Sequence, residues 1–391
     1  MYLKNLELKN YRNYDHIKLE FDKNSILLVG NNGNGKTNLL ESIYYLSTGR
    51  SHRTHIQDEL IKWGSDFSLI RASIGPEDGS KKYIIEIEIR KNNNIKIRIN
   101  GVYQKKKSDF ISILPSVIFS PDDLRIIKAG PGERRNFLDS ILEKIYRGFY
   151  SLRLQYHKIL MQRNSLLKSI KGKAGDSHLG TIEVWNENLV KYGIEIIEKR
   201  LDLMDAVREK FREYTGDFFK GMDSGIEYIF SWDRAEGTGR FNDSAYTGPG
   251  SGHERNGACS RDDLREIFSK KLNENFRRDI AFKTTTIGPH RDDLIIFFDG
   301  KDIRSFGSQG QQRIASVSLK LCELHILKDK LDTEPVLLLD DVLSELDIER
   351  RKKLVKVINE RFQTFVTATN ISDLDKLDID FGSRFLVSEN N

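Results

Sequence analysis

The sequence predicts an α/β fold in which a mixed, largely parallel sheet carries an inserted, mostly helical lobe. Three observations carry this. A short apolar run at 25–29 leads into a glycine-rich segment and then a helical pattern, the strand–loop–helix order of a parallel sheet with covering helices. A second fully apolar run, VLLL at 336–339, ends in two aspartates. The intervening chain holds long stretches with apolar residues three or four apart, which mark amphipathic helices.

Taken in order, residues 3–8 and 17–21 alternate like strands. The run at 25–29 reads as a buried strand, and 37–46 as a helix. Residues 67–74, 83–90 and 95–99 alternate at period two, with turn residues at 76–79 and 92–94. From Arg135 the spacing of Leu138, Ile141, Ile145, Phe149, Leu152, Tyr156 and Ile159 predicts one long helix. A glycine-containing turn at 171–176 precedes a second helical pattern from Ile182 to Tyr214, and the two pack most simply as an antiparallel pair. Residues 235–260 are rich in Gly, Ser and Asn without periodicity and read as a long, flexible loop. Then come a helix (261–276), a strand (294–298), a long helix from about Gln309, the strand 336–339, a helix (348–361) and a strand (365–368). The expected division is a sheet-bearing lobe of residues 1–115 and 285–391 around a mostly helical lobe of 116–284.

The 391 residues suffice for one large or two ordinary domains, and 38% hydrophobic content is ample for a core. Sixty-three Lys and Arg against 58 Asp and Glu leave a net charge of +5, which permits a nucleic-acid partner without demanding one. Cys259 and Cys322 alone make neither a disulfide framework nor a zinc site. No apolar stretch nears the ~20 residues that span a bilayer, and the N-terminus lacks a signal-peptide core. A soluble, cytoplasmic protein without a membrane partner is expected.

The strongest local signal is Gly30, Asn31, Asn32, Gly33, Asn34, Gly35, Lys36 and Thr37, which fits G-x-x-x-x-G-K-[ST]. The glycines let backbone N–H groups close around phosphate oxygens, and the helix N-terminus adds positive potential. Lys36 suits the β- and γ-phosphates of ATP, and the Thr37 hydroxyl suits Mg²⁺. Asp340, at the C-terminal end of its strand, is placed to hold the magnesium. Asp341 then sits where a general base or water-orienting carboxylate is needed. The bland alternative is a pair of aspartates capping a turn. A third segment, Ser308, Gln309, Gly310 and Gln311, opens a helix and offers a hydroxyl and free N–H groups to an anion. Its glutamines also serve as plain helix formers.

The order of these motifs, followed by SELD at 344–347, resembles the ABC/SMC class of ATPase, in which the signature segment of one subunit completes the ATP site of another. Five segments are further similar to the bacterial RecF family: NGNGKTNLLESIYYLSTGRSHRT (32–54), FSPDDLRIIKAGPGERRNFLD (119–139), IGPHRDD (287–293), FGSQGQQR (306–313) and LLLDDVLSELD (337–347). The likeness spans nearly the whole chain and weakens across the helical middle and the 235–260 loop. It implies an ABC-ATPase-like head without a long coiled coil. It also implies a DNA-repair and replication ATPase that dimerises on ATP, hydrolyses it slowly and helps load RecA at single-strand gaps, with RecR- and RecO-type partners. By motif, Gly30 to Thr37 would bind ATP, with Lys36 and Asp341 catalytic and Thr37 and Asp340 at the metal. Ser308 and Gly310, flanked by Gln309 and Gln311, would meet a γ-phosphate held by a second copy. Asp341 stands where most ABC proteins have Glu, one methylene longer, which predicts slow hydrolysis. Thr367 and Thr369 fall where many carry a switch His, and no clear Gln marks the Q-loop, whose stretch corresponds to 120–123.

For DNA, bound without sequence preference as duplex, gapped or single strand, two basic clusters are candidates. One is the acid-free run from Arg90 to Lys107, ending in Lys105, Lys106 and Lys107. The other is Arg50 with Arg53. A basic strand edge that resists aggregation is the competing account. Two other classes share the P-loop. A transporter-type nucleotide-binding subunit would dock on a membrane protein, and a P-loop kinase would leave the segment at Ser308 without a task.

Overall fold

In a computed structural model of the chain, the described residues are 1–22, 25–76, 82–92, 94–105, 109–111, 113–170, 176–219, 221–235, 261–345, 348–358, 362–369 and 381–387. They form two compact units, Met1–Asp123 with Glu323–Asn391, and Leu124–Cys322. The division differs from the expected 115/116 and 284/285. A strand at Ser116–Phe119 pairs in parallel with Val336–Leu339 and so joins the first unit. Asp293–Phe298 pairs with Ser224–Ile229 and so keeps the chain beyond 285 in the second.

The first unit opens with β1 (Tyr2–Tyr11), β2 (Tyr14–Glu20), β3 (Ser25–Val29) and helix α1 (Lys36–Thr48). It continues through β4 (Phe67–Gly75), β5 (Tyr83–Arg90), β6 (Asn94–Ile99), β7 (Val102–Gln104) and β8 (Ser116–Phe119). Six of these make an antiparallel sheet in the order β2-β1-β4-β5-β6-β7. Its period-two alternation turns Leu6, Leu8, Ile70, Ile85 and Ile87 into the core. The outer face carries Lys18, Glu7, Arg71, Glu86 and Arg98 directly opposite one another across five strands. Their signs alternate. Lys18 and Glu7 lie 3.4 Å apart, and Arg71 and Glu86 3.3 Å apart. Opposite charges directly across a ladder stabilise it.

This lattice changes the meaning of the acid-free run. Arg90 pairs with Glu88, Lys91 with Asp66 at 2.9 Å, and Lys96 and Arg98 stand opposite Glu88 and Glu86. The acids come from neighbouring strands, so residues 90–98 are locally basic in sequence and partly neutralised in space.

The second unit comprises α2 (Leu124–Lys128), α3 (Pro131–Ile145), α4 (Phe149–Ser169), α5 (Asp176–Phe218), β9 (Ser224–Ile229), α6 (Ser231–Ala235), α7 (Arg261–Glu274), α8 (Phe276–Phe282), β10 (Asp293–Phe298), β11 (Lys301–Asp302) and α9 (Ile303–Phe306). Helix α10 (Gln309–Lys330) begins there and ends in the first unit. A three-stranded antiparallel sheet, β11-β10-β9, is set among these helices. The single helix expected from Arg135 to Ile159 is two, because Gly148 takes a left-handed φ of 101° between α3 and α4. The apolar stripe survives the break since Ile145 and Phe149 remain four apart. Helices α4 and α5 pack together as expected. The 21 residues of α4 extend only ~30 Å, so among the described residues its pairing with α5 makes no long coiled-coil arm. Of the expected loop, Ala235 ends α6 and residues 236–260 lie outside the described residues. Among the described residues, no helix is long and apolar enough to cross a membrane.

The chain closes the first unit with β12 (Val336–Leu339), α11 (Val342–Glu345), α12 (Ile348–Ile358), β13 (Thr364–Ala368) and β14 (Phe381–Leu386). The order β14-β3-β13-β12-β8 is parallel throughout. Helix α1 packs against β4 of one sheet and β8 and β13 of the other. It is buried almost all round, so its polar side chains must find partners inside. Ser47 accepts from Ser116 N at 2.9 Å, and Thr48 donates to Tyr44 O at 2.9 Å. Glu41, fully buried, takes both arms of Arg12 (2.7 and 2.8 Å) and the Ser51 hydroxyl (2.5 Å). Burial alone would raise its pKa. The Arg12 and Ser51 bonds outweigh burial and hold it below the usual glutamate range.

Glu41→Gln should therefore cost roughly 1.5–3 kcal/mol at neutral pH, the value of charge-assisted bonds. Because the folded pKa is depressed, that contribution is complete above the ordinary value of 4.5 and is lost as pH falls through the lower folded value. Urea midpoints of the two proteins should differ at neutral pH and converge only as pH falls below 4.5.

Candidate nucleotide site

The loop Gly30 to Thr37 joins β3 to α1, and its shape is dictated from beneath. A Cβ on Gly30 would lie 2.2 Å from Val387 O. One on Gly35, whose φ is 102°, would lie 2.7 Å from the Asn13 amide and 2.9 Å from the Tyr14 hydroxyl. Gly33 is also left-handed, at 88°. Asn34, though buried, is a working part of the loop, since its amide donates to Val387 O at 3.0 Å. The turn between β1 and β2 grips the loop from the other side. Asn13 Nδ2 donates to Asn34 O (3.2 Å) and Tyr14 OH to Gly35 O (3.1 Å). Asn31, Asn32 and Gly33 stay exposed at the rim.

Lys36 Nζ donates to Gly30 O at 2.6 Å and Asn31 O at 2.9 Å, folding its ammonium back over the loop. Burial lowers its pKa, and Asp341 and Asp340 draw it partly back up. The Thr37 hydroxyl donates to Asp340 Oδ1 at 2.9 Å. Parallel pairing of β12 with β13 and of β13 with β3 brings these residues together from opposite ends of the sequence. Burial raises the Asp340 pKa against hydrogen bonds from Thr37 and Thr367. Two hard oxygen donors, one a buried carboxylate whose charge a cation would offset, suit a small divalent metal.

Asp341 is exposed, with a left-handed φ of 54°. Its N–H donates to Thr367 Oγ1 at 2.9 Å, and the same Oγ1 lies 3.1 Å from Asp340 Oδ1. Thr367 on β13 thus touches both aspartates, a connection the sequence could not display. The other residues hidden from sequence reading are Arg12, Asn13, Tyr14, Ser51 and Val387. For Arg12, Asn13 and Tyr14 the signal in the sequence was the YRNY segment, where β1's alternation stops.

In the second unit, Ser308 and Gln311 cap α10 reciprocally. Gln311 N donates to Ser308 Oγ at 3.2 Å, and Ser308 N to Gln311 Oε1 at 2.8 Å, a capping box. Gln312, buried, donates to Ile303 O at 2.9 Å and ties this turn to α9. A Cβ on Gly307 would strike Ile303 O at 2.5 Å. Ser308 and Gln309 are exposed, and Gly310 and Gln311 half-buried. The predicted residues therefore divide, with the P-loop and both aspartates in one unit and the Ser308 segment in the other.

Of the basic candidates, Arg53 donates to Asn38 Oδ1 on α1 at 2.8 Å, and its charge lowers the pKa of Asp340. The Arg50 backbone is held by Thr48 Oγ1, and Lys105 is exposed. Lys106 and Lys107 lie outside the described residues, as do Leu346 and Asp347 of SELD.

Thr367→Val should remove a donor from Asp340 and leave the Asp341 N–H without its partner, costing about 1–3 kcal/mol. Thr367→Ser should keep both bonds and recover most of the loss. Urea unfolding of the two variants checks this, and equal destabilisation would contradict it.

The chain matches the RecF/RecN/SMC N terminal domain family over residues 2–384. It is 41% identical over 376 residues to the DNA replication and repair protein RecF of Clostridium acetobutylicum, covering 96% of this chain and 95% of that one. To the same-named protein of Clostridium tetani it is 40% identical over the same shares. Among solved structures it resembles the recombination mediator protein RecF of the RecFOR pathway with ATP, at 34% identity and a TM-score of 0.84, covering 100% of this chain and 96% of that one. The Smc head domain of Pyrococcus furiosus, bound to the C-terminal domain of ScpA, is 17% identical with a TM-score of 0.52 over 96% of this chain and 92% of that one; there the likeness is one of fold. The fold is the ABC/SMC-type head that the sequence predicted, and the chain belongs to the RecF family.

Proposed function

We propose that this chain is an ATP-dependent DNA-binding protein of replication and recombinational repair, working in the cytoplasm as a dimer assembled around ATP. The observation that carries the reading is the division of the motifs. One unit supplies a phosphate-cradling loop, Lys36 and the Thr37–Asp340 pair, and the other supplies an exposed helix start at Ser308. In the proposed dimer, Ser308 and Gly310 of one copy meet the γ-phosphate held by Gly30 to Thr37 of the other, with Gln309 and Gln311 alongside. The capping arrangement suits this, because Ser308 Oγ accepts from Gln311 N and keeps its own proton to donate.

Thr37 and Asp340 would hold Mg²⁺, which would neutralise charge on the phosphate chain. Lys36 would leave the loop carbonyls for the β- and γ-phosphates, and Asp341 would orient the attacking water. The names of the relatives, with a neighbour solved with ATP, support ATP binding and a repair role. Assistance to RecA loading at gaps alongside RecR- and RecO-type proteins follows the same reading. Lys105 and Arg50 are proposed contacts to DNA phosphates, while Arg53 serves first at the nucleotide site.

Solution mass with ATP and Mg²⁺ should double, and a monomer at high protein concentration would refute the dimer. Ser308→Arg should abolish the doubling while ATP still binds. Lys36→Ala should abolish both, which separates nucleotide binding from assembly in calorimetry and light scattering.

A further inference from the structure

The geometry points to a second ligand site, in the Leu124–Cys322 unit: a cleft beside α8 that binds a single-stranded polynucleotide, with a base on Phe282 and phosphates on the surrounding cations. The cleft has a volume of about 530 Å³ and is lined by Asn164, Lys168, Phe282, Lys283 and Thr284. No carboxylate lines it. Phe282, the last residue of α8, is 65% exposed, with the Arg278 guanidinium 5.8 Å from its ring centre. Arg291 reaches its edge, with Nη2 3.4 Å from Thr284 Oγ1.

Lys168, Arg277, Arg278, Lys283 and Arg291 are all exposed, and none forms an ion pair among the described residues. The nearby acids are already committed. Asp279 is fully buried against Arg163 at 2.8 Å, and Glu274 faces Lys271 at 3.4 Å. This contrasts with the outer sheet face of the first unit, where Lys18, Arg71 and Arg90 each meet a glutamate. An aromatic face among unmatched cations is the pattern that single strands use, since every base has a π-face and every linkage a negative charge.

Two features indicate a built site. Lys283 ends α8 with a left-handed φ of 53°, where Gly or Asn is the comfortable residue. That conformation places a lysine rather than a glycine at the cleft's rim, at a small cost in backbone strain. The wall behind it is rigid. Asp279 Oδ1 accepts from Thr286 N and Oγ1 (2.8 and 2.6 Å), Asn164 Oδ1 from Thr285 N and Oγ1 (2.8 and 2.7 Å), and Arg163 Nη1 bonds both Asp279 and Thr285. The segment 284–293, with its IGPHRDD sequence, thereby holds the rim in place, and little ordering is needed on binding.

The choice of a polynucleotide over another polyanion rests on the DNA-binding reading above, and the test separates them. Fluorescence anisotropy with labelled dT25 should show Phe282→Ala weakening binding roughly tenfold, with Phe282→Trp restoring it. In Lys168→Ala/Lys283→Gly, the slope of log affinity against log salt should flatten by about 1.4, two contacts at ~0.7 each for single strands. Lys283→Gly relieves the left-handed backbone, so thermal stability should hold or rise, and lost binding could not be assigned to misfolding. ATP affinity should not move. Unchanged dT25 affinity and slope in these variants would overturn the cleft alone, as would loss of poly-glutamate binding with dT25 binding intact. A wild-type protein binding no DNA would overturn the broader reading as well.

Discussion

The first unit is organised around one constraint, a helix enclosed almost completely between two sheets. Because α1 carries the glycine-rich loop Gly30 to Thr37 at its N-terminus, whatever fixes the helix fixes the loop. Glu41 is the polar group that enclosure makes expensive, and Arg12 and Ser51 satisfy it. The same Arg12 begins the turn whose next two residues, Asn13 and Tyr14, hold Asn34 O and Gly35 O. The turn between β1 and β2 of the antiparallel sheet thus sets the position of the loop. The link runs through a buried ion pair, where removal of one partner strands a charge.

The glycines gain a second meaning from this packing. Glycine in a phosphate loop is usually explained by the ligand's need for bare backbone. Here Gly30 is required as much by Val387 O, and Gly35 by Asn13 and Tyr14, before any ligand is considered. The Ser308 segment behaves alike. Its capping box completes α10, and Gln312 and Gly307 weld it to α9, so structural and functional readings fall on the same atoms without conflict. A site whose residues already satisfy the fold is pre-organised, which lowers the entropy lost on binding.

Much of this was legible in sequence for identifiable reasons. Buried parallel strands are continuous apolar runs, so 25–29 and 336–339 were plain, and the motif spacing placed Lys36, Thr37 and Asp340. What escaped needed non-local information. Strand β8 has only four residues, and its identity comes from its parallel partner. The break at Gly148 was masked because the apolar stripe continues through it. The run from Arg90 looked electropositive because its acids lie on β5 and at Asp66, one strand or one turn away. Charge patterns read along a chain misjudge sheets for this reason, whereas the unmatched cations around Phe282 come from α4, α8 and the segment after it, and no single stretch of sequence displays them together.

The backbone at Asp341 joins geometry to the proposed chemistry. Its φ of 54° lies where Asp and Asn are tolerated far better than longer side chains, because a short polar group can bond locally. Thr367 helps hold it there by accepting the residue's N–H. Asp is therefore the acid that fits this conformation, and its shorter reach is a consequence of the turn that follows β12. A glutamate would extend the carboxylate by a methylene only in a less favoured backbone state. In the proposed mechanism, the turn that would position Asp340 for a metal would also limit how far the neighbouring carboxylate could advance on a water. Such a limit would suit the slow hydrolysis and ATP-dependent assembly proposed for this chain.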